Sequence, residues 1–287
     1  MLSYQHAYHA GNFADVHKHL TLFAVVDHLL RKDSPVTFVD THAGRGLYRL
    51  SAEASDKLQE YRNGVMPLWR SRETLIRDPL LHAWLGALEE AQSGAPSAEG
   101  KCLDQYPGSP WWLANRLRSQ DRLMLFELHP GEHDHLAGLP LPDNVRHIHG
   151  DGLQGLRQRL PVATPRLCVL IDPSYERKTE YAEVADAVLS AMRKVRHGLV
   201  LVWYPLLPAG RHRVLLESLR DDGPRKIWRS ELVLHDPDSG EHGMYGSGML
   251  VVNPPWRLEQ RLSAAMDSII PVLGSTSRYS SGWWVEE

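Results

Sequence analysis

A chain of 287 residues suits one large domain or one domain carrying an insertion. At 43% hydrophobic and 23% charged it can bury a core and keep a polar surface, and no apolar run approaches the ~18 residues of a membrane span. A net charge of −3 and a pI near 6.6 exclude a chain that holds nucleic acid by overall charge, although local patches stay open.

The opening MLSYQHAYHAGN lacks the basic and apolar stretches of a signal peptide. Cys102 and Cys168 give no disulfide framework. The expected location is therefore the reducing cytoplasm. Basic pairs recur, among them Arg31-Lys32, Arg177-Lys178 and Arg193-Lys194. Taken singly, they read as solvated faces.

In chain order, the apolar spacing of Val16, Leu20, Phe23, Ala24 and Leu30 predicts a helix over 15–31. VTFVD (36–40) reads as a buried strand. Residues 51–106 break the pattern, with helical pieces DKLQEYR and PLLHAWLGALEEA followed by the small-residue stretch QSGAPSAEG. That segment is expected to be a helical insertion subdomain, leaving 1–50 and 107–287 as the main domain. LMLFEL (123–128), VRHIHG (145–150), LCVLID (167–172) and LVLVWY (199–204) read as further parallel strands. A helix between the last two is expected to start at Thr179 as N-cap and end before Gly198 at C′. WRSELVLH (228–235) and GMLVVN (248–253) predict an antiparallel hairpin at one sheet edge. The fold class is α/β: a seven-stranded, mostly parallel, doubly wound sheet with a late antiparallel hairpin.

In such a sheet, ligands bind outside the carboxyl ends of the strands. There the first strand offers Asp40 and the loop THAGRG, in which Gly44 and Gly46 permit close backbone approach. The third glycine of a dinucleotide fingerprint is missing, and so is the lysine of a P-loop. A bare turn and an adenosine-type cofactor without pyrophosphate both fit. The second strand ends at Glu127, placed for ribose hydroxyls, and the third at Asp151-Gly152, placed for an adenine amine. The fourth ends Asp172-Pro173-Ser174-Tyr175. Each acid alone can be a surface or turn residue. Four on one rim repel one another unless donors or cations face them, and a ribose, an amine and a sulfonium would do so.

This order resembles S-adenosylmethionine-dependent methyltransferases acting on amino nitrogens. More closely it is similar to the RlmJ family, the 23S ribosomal RNA (adenine(2030)-N6)-methyltransferases. LSYQHAYHAGNFADVHKH is similar to that family's opening, and VDTHAGRG, QYPGSP, FELH and GSGMLVVNPPW also look like its motifs. The resemblance spans essentially the whole chain and implies a Rossmann-like class I methyltransferase fold with the helical insertion. It implies S-adenosylmethionine contacts at His19, His42, Ser109, Glu127, Asp151, Gly152 and Asp172, beside Gly44 of the glycine loop. It also implies Tyr4, His6 and Lys18 around the target base, protein-free or early-assembly 23S rRNA as partner, and no metal. The chain is expected to act as a monomer away from membranes.

An adenine N6 is a poor nucleophile because its lone pair is delocalised into the ring. Asp172 and the Pro173 carbonyl are expected to accept its two N–H bonds, and Tyr175 to stack on the extruded base. Ser174 departs from the family pattern Asp-Pro-Pro-Tyr. It adds a backbone N–H and loosens φ.

Asn253-Pro254-Pro255-Trp256 mimics the motif better than Asp172-Pro173-Ser174-Tyr175 does, but it follows the last predicted strand and is expected to be a structural stop. The cluster His129, His133 and His135 lacks zinc-site spacing and is expected in a solvated loop. Ser109 is expected to cap a helix, with Pro110 at N1 and Trp111-Trp112 in the core. Two rivals remain: the same chemistry on DNA adenine or a glutamine amide, and a non-catalytic RNA-binding factor that keeps the cofactor fold.

Overall fold

The computed structural model of the protein describes residues 6–50, 59–92, 103–237 and 243–286. The first parallel strand, β1 (Val36–Asp40), lies between β4 (Arg122–Glu127) and β6 (Arg166–Ile171). Beyond β4 lies β5 (Val145–His149), and beyond β6 lies β7 (Leu199–Leu206). The β9 strand (Gly246–Val252) pairs antiparallel with both β7 and β8 (Ile227–Val233). With β10 (Arg278–Val285) at the edge, the sheet order among the described residues is β10-β8-β9-β7-β6-β1-β4-β5.

The sheet therefore has eight strands among the described residues, not the seven expected. The extra one, β10 (Arg278–Val285), pairs antiparallel with β8. Its segment RYSSGWWV is partly exposed along its length at the sheet edge, so no buried apolar run advertised it. Two short strands, β2 (Leu47–Arg49) and β3 (Gln105–Pro107), carry no such run either. They pair antiparallel, bringing together the two ends of the segment between them.

Strand residues alternate between two cores, as the period of two requires. Phe38, Leu170, Leu201 and Val251 face one side; Val39, Val169, Val200, Val202 and Val252 face the other. The first side is covered by helices Phe13–Leu30, Ser109–Ala114 and Leu258–Leu273. Gly152–Arg159, Glu180–Lys194 and His212–Asp221 cover the second. The insertion helices Val65–Arg70 and Pro79–Glu90 bury Trp69, Leu81 and Trp84 in the first core, which they share with Phe23 and Trp112. Trp84 stacks on Trp112 at 5.8 Å. These helices thus share one core with the helices of the main sheet.

Four local expectations change. The opening helix starts at Phe13, because the Asn12 side chain accepts from Asp15 N at 2.9 Å and caps it there. Gly108, not Ser109, is the N-cap of helix Ser109–Ala114. His129 to His135 is not a loop: Pro130–Ala137 is a helix whose N-cap, His129, accepts from Glu132 N. Its run of histidines and acids gave no apolar period. The helix after β6 has Thr179 at its N-cap but ends at Lys194 with Val195 as its C-cap, and Gly198 instead turns back to Val195 O at 2.9 Å.

Asn253 does close a strand. It takes φ 53°, and its amide donates to Arg196 O and Gly198 O at 3.0 and 2.8 Å. The neighbouring Trp256 is exposed, well away from the rim at β6.

Candidate active site

At the carboxyl ends of β1, β4 and β6 lies a cavity of about 1030 Å³. It is lined by His6, Lys18, His19, His42, Gly44, Ser109, Glu127, Asp151, Gly152, Asp172 and Pro173, every described candidate except Tyr175. Tyr4 lies outside the described residues.

The cofactor half of the rim is built by loops. Gly44 and Gly46 take φ of +61° and +80°, the left-handed region that glycine enters without cost. This turns the Gly44 N–H onto Glu127 Oε2 at 2.7 Å, while Glu127 Oε1 accepts from His129 N at 2.7 Å. Burial raises the Glu127 pKa, and the two N–H donors partly counter it. Asp151 caps helix Gly152–Arg159 through Gln154 N at 3.0 Å. Gly152 is required by contact: a Cβ there would lie 2.0 Å from Thr41 O. Asp151 and Gly152 thus have structural duties beside any ligand role.

Asp40 is fully buried, and its Oδ2 has no hydrogen-bond partner among the described residues. Its Oδ1 accepts from His42 N at 3.2 Å. Burial pushes its pKa up to about 7, the Ser109 hydroxyl opposes this in part, and the nearby Asp172 adds to it. A buried carboxylate oxygen left unpaired is a place where an N–H or O–H donor would be stabilised. Burial holds His42 down to about 4, so it is neutral near pH 7, with Nδ1 beside Thr41 Oγ1 at 2.8 Å. His19 is also held neutral by burial, with Nδ1 and Tyr106 Oη 2.9 Å apart.

The other half is polar and charged. Lys18 Nζ donates to Asp172 Oδ2 at 2.6 Å and pairs with Asp15 Oδ1 at 2.9 Å. Asp15 Oδ2 also meets His6 Nε2 at 2.9 Å and accepts from Gly11 N at 2.9 Å. Burial disfavours the Lys18 charge, but the two carboxylates outweigh it and hold the ammonium above its ordinary range. Burial likewise opposes the Asp15 charge, yet His6 and Lys18 hold its pKa well below the carboxylate range. At Asp172 burial wins, and the pKa is raised in spite of Lys18.

Tyr175 corrects an expectation. Its ring is buried against Tyr181, with centroids 4.3 Å apart, and its hydroxyl donates to Trp203 O at 2.7 Å. It holds the strained left-handed φ of 54°. In this arrangement the ring anchors the turn from below and offers no face to a base. Around it, Ser174, Glu176 and Arg177 line the cavity, and so does the aromatic Trp203 of β7.

Trp203 was missed. Its Nε1 donates to Ser247 Oγ at 3.0 Å, and Lys18 Nζ sits 5.6 Å from a ring centroid. An aromatic at the carboxyl end of β7 carried the signal, since that is where sheet ligands bind. Asp15 was missed too. Its clue was the spacing of three to Lys18, which puts both side chains on one helix face.

Several known proteins are similar to this chain. A family model described as Ribosomal RNA large subunit methyltransferase D, RlmJ matches residues 33–285. Ribosomal RNA large subunit methyltransferase J of Escherichia coli (strain K12) is 35% identical over 294 residues, covering 100% of both chains. The protein of the same name from Haemophilus influenzae is 38% identical, covering 100% of this chain and 98% of its own. A crystal structure of a Legionella pneumophila protein superposes with a TM-score of 0.86 at 36% identity, covering 96% of this chain and 98% of that one.

Proposed function

From the premise that this chain belongs to the Ribosomal RNA large subunit methyltransferase D, RlmJ family, we propose that it methylates the N6 amine of one adenine in 23S rRNA. The observation that carries this reading is the Lys18-braced Asp172, set beside Pro173 on a cavity at the strand ends. The full-length relatives support the substrate: both bear the name of large-subunit ribosomal RNA methyltransferases.

The residues fit S-adenosylmethionine. A cavity of about 1030 Å³ has room for a nucleoside cofactor and a base together. Glu127 carries lone pairs for ribose hydroxyls, and the orphan Asp40 Oδ2 suits an N–H or O–H donor. Bound there, S-adenosylmethionine supplies an electrophilic methyl on a sulfonium.

Asp172 and the Pro173 carbonyl accept the two N6 protons' hydrogen bonds. That favours a pyramidal nitrogen over one conjugated with the ring. S-adenosylmethionine held there would supply the methyl group, and Asp172 would take the N6 proton that the transfer releases. A carboxylate whose pKa burial has raised takes that proton more readily than an ordinary surface acid. The rate gain is chiefly positional. Trp203, rather than Tyr175, is the aromatic beside the presented base. The protein acts in the cytoplasm on free or partly assembled RNA, and no described helix is long and apolar enough to cross a membrane.

The test is transfer of labelled methyl to protein-free 23S rRNA lacking the modification, beside intact subunits and plasmid DNA, with the product nucleoside identified. N6-methyladenosine at one site in the free RNA is expected. Label in DNA, or none in any substrate while S-adenosylmethionine still binds, overturns the proposal.

A further inference from the structure

The antiparallel end of the sheet carries a second groove, of about 590 Å³, between helix His212–Asp221 and strands β8 and β10. We propose that this groove is a second RNA contact, holding phosphodiesters that flank the base presented to the active-site cavity. The inference rests on the RNA-methylating function proposed above.

Three guanidiniums line the groove, from Arg213, Arg229 and Arg278. Arg213 and Arg278 are exposed, and neither forms an ion pair among the described residues. Arg229 lies over the Trp284 ring, its Cζ 4.6 Å from a ring centroid. A guanidinium set over a ring can still turn N–H groups toward phosphate oxygens, although Nη1 of Arg229 already lies 3.7 Å from Glu231 Oε1. The Trp284 ring is itself fixed, because its Nε1 donates to Leu216 O at 2.9 Å.

Two carboxylates share the groove. Glu231 is already committed: it accepts from Tyr204 Oη at 2.9 Å and sits 3.7 Å from Arg229. That leaves Arg213 and Arg278 facing Glu217, so the local balance is cationic in a chain whose net charge is −3.

A buried imidazole stands in the groove wall. His212 lines the groove at 8% exposure, and its buried Nδ1 has no hydrogen-bond partner among the described residues. The ring is held by stacking on Tyr204, centroids 5.7 Å apart. Burial lowers its pKa, Glu231 opposes this in part, and Arg213 and Arg229 add to the lowering. With Nδ1 buried, the ring forms a rigid, uncharged part of the groove wall beside the arginines.

Position supplies the last link. The β8–β9 hairpin walls both spaces: Leu234 and Met244 face the active-site cavity, and Val233 and Tyr245 face the groove. On β7, Pro205 lines the first and Leu206 the second. A strand whose target base enters the cavity therefore has the groove just beyond the hairpin for its flanking backbone.

The experiment uses the full chain with Arg213→Ala and Arg278→Ala combined. Binding of protein-free 23S rRNA is followed against salt, together with steady-state methylation. The expected result is a rise of about tenfold or more in Kd and KM for RNA, with a salt slope flatter by about 0.7–0.9 for each phosphate no longer neutralised. The kcat at saturating RNA and the affinity for S-adenosylmethionine stay unchanged. Arg213→Lys with Arg278→Lys should recover most of the slope, since a point charge still meets phosphate. An unchanged Kd and slope, or weaker binding with no change of slope, overturns the groove. If the wild type binds RNA but methylates none, the functional reading fails, and the binding measurements still decide the groove by the same criteria.

Discussion

Lys18 Nζ and Asp172 Oδ2 lie 2.6 Å apart, although 154 positions separate them in the chain. The same ammonium reaches Asp15 at 2.9 Å, so two carboxylates share one buried cation. The opening helix is thereby tied by charge to the end of β6, and the reactive rim is assembled from segments far apart in the sequence.

That shared cation makes the rim sensitive to any one member. Asp172→Asn removes the carboxylate and leaves Lys18 with Asp15 alone. Methyl transfer should fall at least about a hundredfold, roughly 2.7 kcal/mol. S-adenosylmethionine affinity should stay within about tenfold, roughly 1.4 kcal/mol. Single-turnover transfer and equilibrium binding, measured side by side, check it; near-normal transfer removes Asp172 from the chemistry.

Asp40 predicts a pH dependence of stability. Its folded pKa is raised, so the folded state binds the proton more tightly than the unfolded chain does. The sign follows: this residue's contribution falls as pH rises from the unfolded value near 3.8 to about 7, and is constant above that. Over that span it amounts to on the order of 4 kcal/mol at ~1.4 kcal/mol per pH unit. Relative to wild type, Asp40→Asn should become progressively more stable across this window. Urea unfolding of both proteins at several pH values reads the difference; a difference independent of pH contradicts it.

Tyr175 is expected to act on stability before chemistry. Tyr175→Phe loses the bond to Trp203 O, ~1 kcal/mol. Tyr175→Ala also empties the site against Tyr181, about 3–5 kcal/mol. If the phenyl variant keeps its full stability, the anchoring role is wrong.

Ser174→Pro should leave methyl transfer within about tenfold, roughly 1.4 kcal/mol. Asp172 and Pro173 precede the change, and Tyr175 holds the turn through its own contacts. A gain of several orders would mean that serine impairs the natural site.

Gly152→Ala would drive a Cβ to 2.0 Å from a backbone oxygen of Thr41, which cannot rotate away. A loss of ~1–3 kcal/mol in unfolding free energy is expected. Unchanged stability would show that the loop after β1 yields easily.

What the sequence determined by itself is the local and ordered part. The alternation of apolar runs and helices specified a doubly wound sheet, because a strand buried on both faces must be apolar throughout. Acids at four strand ends specified one rim, because parallel strands all present their carboxyl ends on the same side. What only the tertiary structure decided depends on partners distant in sequence. The direction of Tyr175 was set by Tyr181 and the Trp203 carbonyl, neither of which periodicity can place. Asp15 became a charge partner of His6 and Lys18 because the chain folds back at Gly11, which donates to it. β10 exists because β8 offered an open edge, and pairing through backbone groups leaves little mark on side chains.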